Sequence, residues 1–266
     1  MILPFSKYHG AGNDFIMIDN SNLIFKNHTP SSETITKLCH RRFGIGADGL
    51  ILINSSKDSD FEMIYYNSDG KPGSMCGNGG RCSVAFAYML NLIGEKTVFL
   101  TSDGMHLAEI ISQNNETTFV KLRMQDVKNF IKANDHFIID TGSPHYVFFT
   151  ENVKKMDVFS EARKIRYSKK YKDKGINVDF AEFMDDHIFV RTYERGVEDE
   201  TLSCGTGVTA TAIAANELDL VKGNLCSLKT CGGDLKVYYA KSGASSYSDI
   251  WLEGPAVCVY NGKINL

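Results

Sequence analysis

Two cysteines carry most of the chemistry this sequence offers. Cys76 stands in Met75-Cys76-Gly77-Asn78-Gly79-Gly80, followed by Arg81-Cys82-Ser83-Val84-Ala85-Phe86-Ala87. Cys204 stands in Ser203-Cys204-Gly205-Thr206-Gly207, followed by Val208-Thr209-Ala210-Thr211-Ala212-Ile213-Ala214. Both segments read Cys-Gly-x-Gly ahead of a small, apolar, helix-compatible run. The first backbone N–H groups of a helix have no partner inside it and point out from its start. A Gly-rich turn there makes an anion site for a carboxylate or phosphate. The same helix start favours the thiolate of a cysteine at its mouth. One cysteine beside a glycine turn is ordinary packing, because Cys is among the most buried residue types. Two such segments make a pair of thiols able to face one ligand from opposite sides.

A thiol and a thiolate on opposite faces of one carbon suit inversion of a stereocentre. One removes a proton as base while the other delivers a proton to the far face. An unperturbed Cys titrates near pH 8.5, roughly, and a helix start brings that into the working range. An amino-acid α-proton is far less acidic than a thiol, so backbone N–H groups at both helix starts must hold the α-carboxylate and its growing charge. This chemistry calls for no cofactor and no metal, and no pyridoxal or metal motif stands in the sequence. The seven cysteines (Cys39, Cys76, Cys82, Cys204, Cys226, Cys231 and Cys258) are odd in number and scattered, unlike a secreted disulfide framework. None forms the Cys-x-x-Cys pair typical of zinc sites.

The elements that must position these thiols occur twice. In the first half, strands are expected at Phe5–Tyr8, Phe15–Asp19, Leu50–Ile53 and Phe61–Tyr66, with a short helix over Ser32–Cys39 capped by Ser31 or Ser32. The Cys76 helix then runs to about Leu92, and strands follow at Val98–Leu100, Leu107–Ile111 and Phe119–Leu122. The second half offers strands at Phe137–Asp140, Tyr146–Phe149 and His187–Tyr193, and a helix over Asp157–Tyr167. The Cys204 helix runs to about Leu220, before strands near Leu235–Tyr239, Ile250–Leu252 and Val257–Tyr260. Gly12 precedes Gly142 by 130 residues, Tyr66 precedes Tyr193 by 127, and Cys76 precedes Cys204 by 128. Three landmarks in one order at one spacing argue for duplication. The expected fold is mixed α/β, with two pseudosymmetric domains that each wrap a curved, mostly antiparallel sheet around a central helix. A polar boundary between the two is expected near Gln125–Asn134.

Composition narrows the setting. The 266 residues hold one large domain or two ordinary ones. A net charge of -3 leaves no basic footprint for nucleic acid. The sequence shows no secretory signal pattern and no apolar run of membrane-spanning length. A soluble cytoplasmic protein with a small-molecule substrate, and neither nucleic acid nor membrane as partner, is the expectation.

Several motifs together resemble the diaminopimelate epimerase family. They are Asn13-Asp14-Phe15 after a glycine turn, Gly44-Ile45-Gly46-Ala47-Asp48, Asn67-x-Asp69-Gly70, the two cysteine segments, Pro144-His145 and Glu194-Arg195-Gly196. The match runs from residue 7 to the last strand. The resemblance implies a cofactor-independent epimerase that interconverts LL- and meso-diaminopimelate in lysine and cell-wall precursor synthesis. It further implies an active site between two domains, a homodimer, and a last strand returning to the first domain, so that the expected division is 1–126 plus 256–266 for the first domain and 127–255 for the second. Carried over by position, Cys76 and Cys204 are the acid/base pair, tuned by His145 and Glu194. Asn13, Asn67, Gly77, Asn78, Asn177, Gly205 and Thr206 hydrogen-bond the substrate, and Glu194 and Arg195 grip its charged ends. Three departures stand out. Gly49 occupies a place where many members carry Gln, Ser143 replaces Asn in Gly-Asn-Pro-His, and the segment from Arg195 to Cys204 is about one residue longer.

Other readings remain open at this level. Proline racemase and hydroxyproline epimerase use the same two-thiol logic, but their first motif resembles Met-Cys-Gly-His-Gly where this chain has Asn78. The phenazine-biosynthesis isomerases share the duplicated fold and lack the cysteine pair. A thiol redox sensor would use Cys76 and Cys204 as a reversible disulfide. A plain binding module would need neither thiol.

Overall fold

The computed structural model describes residues 2–22, 24–25 and 30–266. It divides into two compact units, Met1–Leu122 with Gly254–Leu266, and Arg123–Glu253. The first unit contains β1 (Ile2–Gly10), β2 (Asn13–Asp19), α1 (Ser32–Cys39), β3 (Gly49–Asn54), β4 (Phe61–Asn67), α2 (Gly77–Met89), β5 (Lys96–Thr101), β6 (Gly104–Asn114) and β7 (Thr117–Arg123). The second contains β8 (Phe130–Lys132), β9 (Phe137–Asp140), β10 (Pro144–Phe149), α3 (Val158–Arg166), β11 (Asn177–Phe183), β12 (Ile188–Glu194), β13 (Asp199–Thr201), α4 (Gly205–Glu217), β14 (Leu225–Thr230) and β15 (Gly233–Gly243). The last strand, β16 (Ser246–Asn265), begins in the second unit and ends in the first.

The duplication is written in strand direction. From β1 to β7 each strand pairs with the next in the series antiparallel, parallel, antiparallel, parallel, antiparallel, antiparallel. The second unit repeats that series along β9, β10, β11, β12, β14, β15 and β16. Register repeats as well. Phe15 lies opposite Gly49 as His145 lies opposite Asn177, and Ile51 pairs with Tyr65 as Asp179 pairs with Thr192. The fold is mixed α/β, dominated by sheet, with two repeated halves.

Each half is built around one helix. In the first unit β16 pairs with β7 through Gly254–Val257 and with β1 through Val257–Asn265, so the ladder closes and leaves no edge. Residues Asn78–Ala87 of α2 are all buried, and β1, β2, β3, β4 and β6 pack on it. Gly205 and Gly207–Ala215 of α4 are likewise buried. A helix enclosed on every side must be apolar all round, and small residues let the strands approach. Two of the hydroxyls on these helices bond back to the preceding turn, while the buried Thr211 hydroxyl has no partner among the described residues. Ser83 donates to the Gly79 carbonyl and Thr209 to the Gly205 carbonyl, each at 2.9 Å.

The expected strands and helices are present, with four additions. β8, β11, β13 and β14 were not expected from local pattern. Ser31 is the α1 cap, its Oγ accepting from the Thr34 N–H at 3.2 Å. The two strands expected at Ile250–Leu252 and Val257–Tyr260 are one. The strand passes straight through Gly254-Pro255. Glu253 is its last residue paired with β15, and Gly254 is its first paired with β7. No helix among the described residues is long and apolar enough to cross a membrane. Nor, among the described residues, is there a cluster of three or more His, Cys, Asp or Glu suited to a metal.

Candidate active site

In the first unit a two-residue hairpin loop, Ala11-Gly12, joins β1 to β2. Both residues have positive φ, 51° and 87°, which matches the twist of the flanking strands. The loop presents Asn13 as the first residue of β2. Cys76 is the N-cap of α2, with extended backbone (φ −112°, ψ 126°). Its carbonyl accepts the Gly80 N–H at 2.7 Å, so its side chain projects from the helix start without capping it. Cys76 Sγ lies 3.5 Å from Asn13 Oδ1. The same oxygen accepts from Asn78 Nδ2 at 3.5 Å, while Asn13 Nδ2 donates to Asp48 Oδ2 at 2.8 Å. Asn78 Oδ1 accepts from Arg81 Nη2 at 2.7 Å. An amide held at both ends has one orientation, so the Asn78 NH2 group is turned away from Arg81.

Charge anchors the hairpin. Arg41 forks onto Asp14 at 3.0 and 2.8 Å and reaches Asp48 at 2.7 Å, while Lys7 pairs with Asp14 at 2.7 Å and bonds the Gly46 carbonyl. Burial pushes the Asp14 carboxyl up, but Arg41 and Lys7 outweigh it and hold the group well below the usual carboxylate range. A carboxyl depressed in the folded state stabilises the fold above its unfolded value, about pH 3.9, and that contribution is lost as pH falls below it. Asp14→Asn should therefore be less stable than the parent at pH 7, with the gap narrowing toward pH 3. Urea denaturation at both pH values checks this.

Asn67 closes β4. It is exposed, its N–H donates to the Lys71 carbonyl at 2.9 Å, and its Oδ1 accepts from the Tyr65 hydroxyl at 2.9 Å. Gly49 leaves no room for a side chain. A Cβ there would lie 2.4 Å from the Tyr65 ring and 2.5 Å from the Tyr66 carbonyl oxygen. The ring of Tyr65 fills the space beside position 49. Gly49→Gln should destabilise the fold by roughly 1–3 kcal/mol through overpacking. Thermal denaturation measures that cost, and Tyr65→Ala in the same chain should return part of it.

The second unit uses the same scaffold with different chemistry. His145 is fully buried on β10, its Nδ1 2.7 Å from Asp179 Oδ2 and its Nε2 2.9 Å from Thr206 Oγ1. Thr206 Oγ1 lies 3.3 Å from Cys204 Sγ. A carboxylate only accepts, so His145 Nδ1 donates to Asp179. The Asn177 NH2 group points at Nε2 from 3.4 Å, with its amide fixed by the Arg195 N–H donating to Asn177 Oδ1 at 2.8 Å. Nε2 is then the acceptor, and the chain of bonds runs from Cys204 through Thr206 and His145 to Asp179. Thr192 Oγ1 donates to the other Asp179 oxygen at 2.7 Å. Gly207 is obligatory here, because a Cβ would sit 2.3 Å from Asp179 Oδ1.

Asn177 is a bolt in this arrangement. Its Nδ2 donates to Ser143 Oγ at 2.8 Å and to the Pro144 carbonyl at 3.1 Å. Arg195 is exposed, with Nη1 on the Lys174 carbonyl at 3.1 Å and Nη2 3.4 Å from Ser143 Oγ. The shorter Ser143 thus still holds both Asn177 and Arg195. Glu194 accepts from Thr201 Oγ1 at 2.5 Å, and burial raises its carboxyl above the ordinary range. The residue Glu198, at positive φ, ties the turn after Arg195 to Arg166 at 2.7 Å.

A helix start was expected to favour both thiolates. At Cys204 it does not. Burial first, then the charges of Glu194 and Asp179, push this thiol well above its ordinary value, against the hydrogen bonds from Thr206 and the Gly207 N–H. The cysteine is 8% exposed, too dry for the helix terminus to prevail. In the first unit Phe15 and Ile51 take the register positions of His145 and Asp179, so no such relay lies beneath Cys76. Asp179, Thr192 and Arg81 are the participants that sequence reasoning missed. The one signal for Asp179 was an acidic residue between Val178 and Phe180 in an apolar run.

Each half therefore offers one thiol at the start of a buried central helix, among backbone N–H groups and amides suited to a carboxylate. The profile of the diaminopimelate epimerase family matches this chain over residues 5–129 and 137–259. A diaminopimelate epimerase of Flavobacterium psychrophilum is 48% identical over 259 residues, covering 97% of this chain and 98% of its own. One from Chlorobaculum tepidum is 42% identical, covering 97% and 99%. Among solved structures, a phenazine biosynthesis protein of the PhzF family from Bacillus anthracis superposes with a TM-score of 0.73 at 16% identity, covering 100% of both chains. A hydroxyproline epimerase from Agrobacterium vitis gives 0.67 at 14%, covering 100% of this chain and 93% of that one. The distant structures share the fold alone. The profile and the relatives of high identity reach the whole sequence, both cysteine segments included, and on them the chain belongs to the diaminopimelate epimerase family.

Proposed function

We propose that this protein interconverts LL-2,6-diaminopimelate and meso-diaminopimelate by moving the α-proton between two thiols, Cys76 and Cys204, with no added cofactor. One sulfur, as thiolate, takes the α-proton. The electron pair left on carbon is stabilised at the α-carboxylate by N–H groups of the helix starts, Gly77 and Asn78 in one unit, Gly205 and Thr206 in the other. The second thiol gives its proton to the opposite face of the carbon. The negative charge passes from one sulfur to the other, and the reverse reaction exchanges their roles.

The observation that carries this reading is the pairing of like scaffold with unlike charge. Both thiols cap a buried helix in repeated units, yet Cys204 is surrounded by groups that keep its proton on. His145 and Asp179 sit behind it through Thr206 and Glu194 lies beside it, which suits a thiol that gives up and regains a proton. Asn13, Asn67 and Asn78 are the amides assigned to the substrate in the first unit. Asn177 enters through Ser143 and Arg195, which its amide holds, and Glu194 and Arg195 complement the charged ends of an amino acid. The same reading places the reaction in lysine and peptidoglycan precursor synthesis, in the cytoplasm, by a homodimer. Family membership supports those finer points.

The test is stereochemical. Reduced protein is incubated separately with LL-diaminopimelate, L-proline and trans-4-hydroxy-L-proline, and the products are resolved by chiral chromatography. Appearance of the meso isomer, with both prolines unchanged, is expected. Turnover of a proline alone would transfer the chain to another substrate class, and no turnover by folded, reduced protein would overturn the epimerase reading.

A further inference from the structure

Arg81 is the largest fully buried side chain among the described residues, at 0% exposure. Nη2 donates to Asn78 Oδ1 at 2.7 Å, Nη1 reaches the Gly77 carbonyl at 3.3 Å, and Nε has no hydrogen-bond partner. No carboxylate pairs with it among the described residues. A buried guanidinium without a counter-ion is costly and calls for an explanation.

The groups around it narrow the choice of anion. The strands packed on α2 are β1, β2, β3, β4 and β6. Their charges are engaged elsewhere. Asp14 is held by Lys7 and Arg41, Asp19 accepts the Ser21 N–H, and Glu62 accepts from Asn54. Glu109 pairs with Lys96, His106 with Asp103, and the His9 ring accepts the Gly12 N–H. The Tyr65 hydroxyl is committed to Asn67. Burial keeps Tyr8, Tyr66 and Cys82 protonated. Burial also disfavours the charge on Arg81 itself, and the sulfurs that oppose this are Cys82 and Cys76. With Cys82 protonated, the anion left to Arg81 is Cys76.

The second unit has no counterpart. By the spacing that relates Cys76 to Cys204, position 81 corresponds to Thr209, whose neutral hydroxyl is satisfied by the Gly205 carbonyl. Behind Cys204 lies the Asp179 carboxylate; behind Cys76 lies a guanidinium.

We infer that Arg81 is a positioning residue that fixes the Asn78 amide, with its NH2 group on the Asn13 oxygen beside the first thiol, and makes Cys76 the sulfur that carries the negative charge in the resting protein. The inference deepens the two-thiol reading and rests on it for its role in turnover. The poise itself is a property of the substrate-free protein. Guanidinium and thiolate balance one another across Asn78, whose amide also bridges to Asn13.

The experiment is pH-dependent alkylation of the full chain by iodoacetamide, with each cysteine followed by peptide mass spectrometry. It uses no amino acid, so failure of the epimerase reading and failure of this one are separate results. In the parent, the Cys76 alkylation midpoint should lie below that of Cys204. Arg81→Gln should raise the Cys76 midpoint by about one to two pH units, cutting its rate at pH 7 at least about tenfold, and leave the Cys204 midpoint in place. Arg81→Lys keeps the charge and should recover part of the shift. Because Arg81→Gln alters a buried site, Asn78→Asp is the second variant. It is nearly isosteric, gives Arg81 a counter-ion of its own, and should raise the Cys76 midpoint likewise. A Cys76 midpoint unmoved in both folded variants, or one that moves equally with that of Cys204, would overturn the inference.

Discussion

Cys76→Ala and Cys204→Ala should each lower the rate of epimerisation by at least about 10²–10⁴-fold, the usual worth of a positioned acid or base. The loss should appear in kcat in both directions, because each sulfur serves as base one way and acid the other. Folding should survive both changes. Cys76 is partly exposed, and its Sγ meets Asn13 Oδ1 at 3.5 Å. Cys204 is buried but small, and removing its sulfur should cost about 1 kcal/mol. Each single variant keeps one thiol and so retains the means to exchange the α-proton of one stereochemistry without inverting it. That residual exchange, read by NMR in D2O, separates loss of one base from loss of the whole site. Retention of more than a tenth of parental turnover in either variant would remove that cysteine from the reaction.

The second large effect is expected at Asp179. This carboxylate is fully buried and accepts from His145 and Thr192, each at 2.7 Å. Asp179→Ala should cost about 3–5 kcal/mol, since it leaves a buried imidazole N–H and a hydroxyl unpaired. Asp179→Asn is the more informative change. An asparagine can still accept from Thr192, but it presents NH2 to His145 Nδ1. The imidazole must then move its proton to Nε2 and donate to Thr206, which reverses the bonds leading to Cys204. Stability should fall by only about 1–2 kcal/mol, while turnover falls about 10²–10⁴-fold. Thermal denaturation and kcat measured on the same preparations resolve the two quantities. Equal losses in both variants would mean that Asp179 is structural only.

The parts of this molecule visible in its sequence are those whose signal is local. Both central helices declare themselves through Cys-Gly-x-Gly and the small apolar run after it, because that run must be apolar on every side. The strands of the first half alternate or run apolar between glycine turns. β11 was hidden for the opposite reason. Asn177 and Asp179 interrupt its apolar pattern, yet both are buried, since α3 and α4 both pack on the strand and His145 and Thr192 satisfy its polar groups from neighbouring strands. No local window holds that information. The continuity of β16 was hidden likewise, because its two expected pieces are joined where the strand changes partner, which composition does not record.

The candidate site was legible in its residue types and only partly in their work. Cys76, Cys204, Asn13, Asn78, His145 and Glu194 stand at helix starts, turns and strand ends, as their motifs require. The difference in charge between the halves was not legible. It depends on Phe15 and Ile51 taking in one unit the register positions that His145 and Asp179 hold in the other, and on an arginine buried in a helix that otherwise reads as apolar. The meaning of Gly49 was likewise invisible without Tyr65, whose ring takes the space that a side chain there would need.

The central claim is that two different sulfurs handle the proton on the two faces of one carbon. It is tested most directly by running LL-diaminopimelate in D2O and analysing substrate and product within the first few per cent of conversion. A two-thiol reaction gives meso product carrying one deuterium at the inverted carbon, delivered by the solvent-exchanged thiol, while the remaining LL substrate keeps its protium. Deuterium entering substrate and product at equal rates from the outset would indicate a single base serving both faces. Product formed without deuterium would indicate that the original proton is carried across. Either result would contradict the assignment of Cys76 and Cys204 as an acid/base pair.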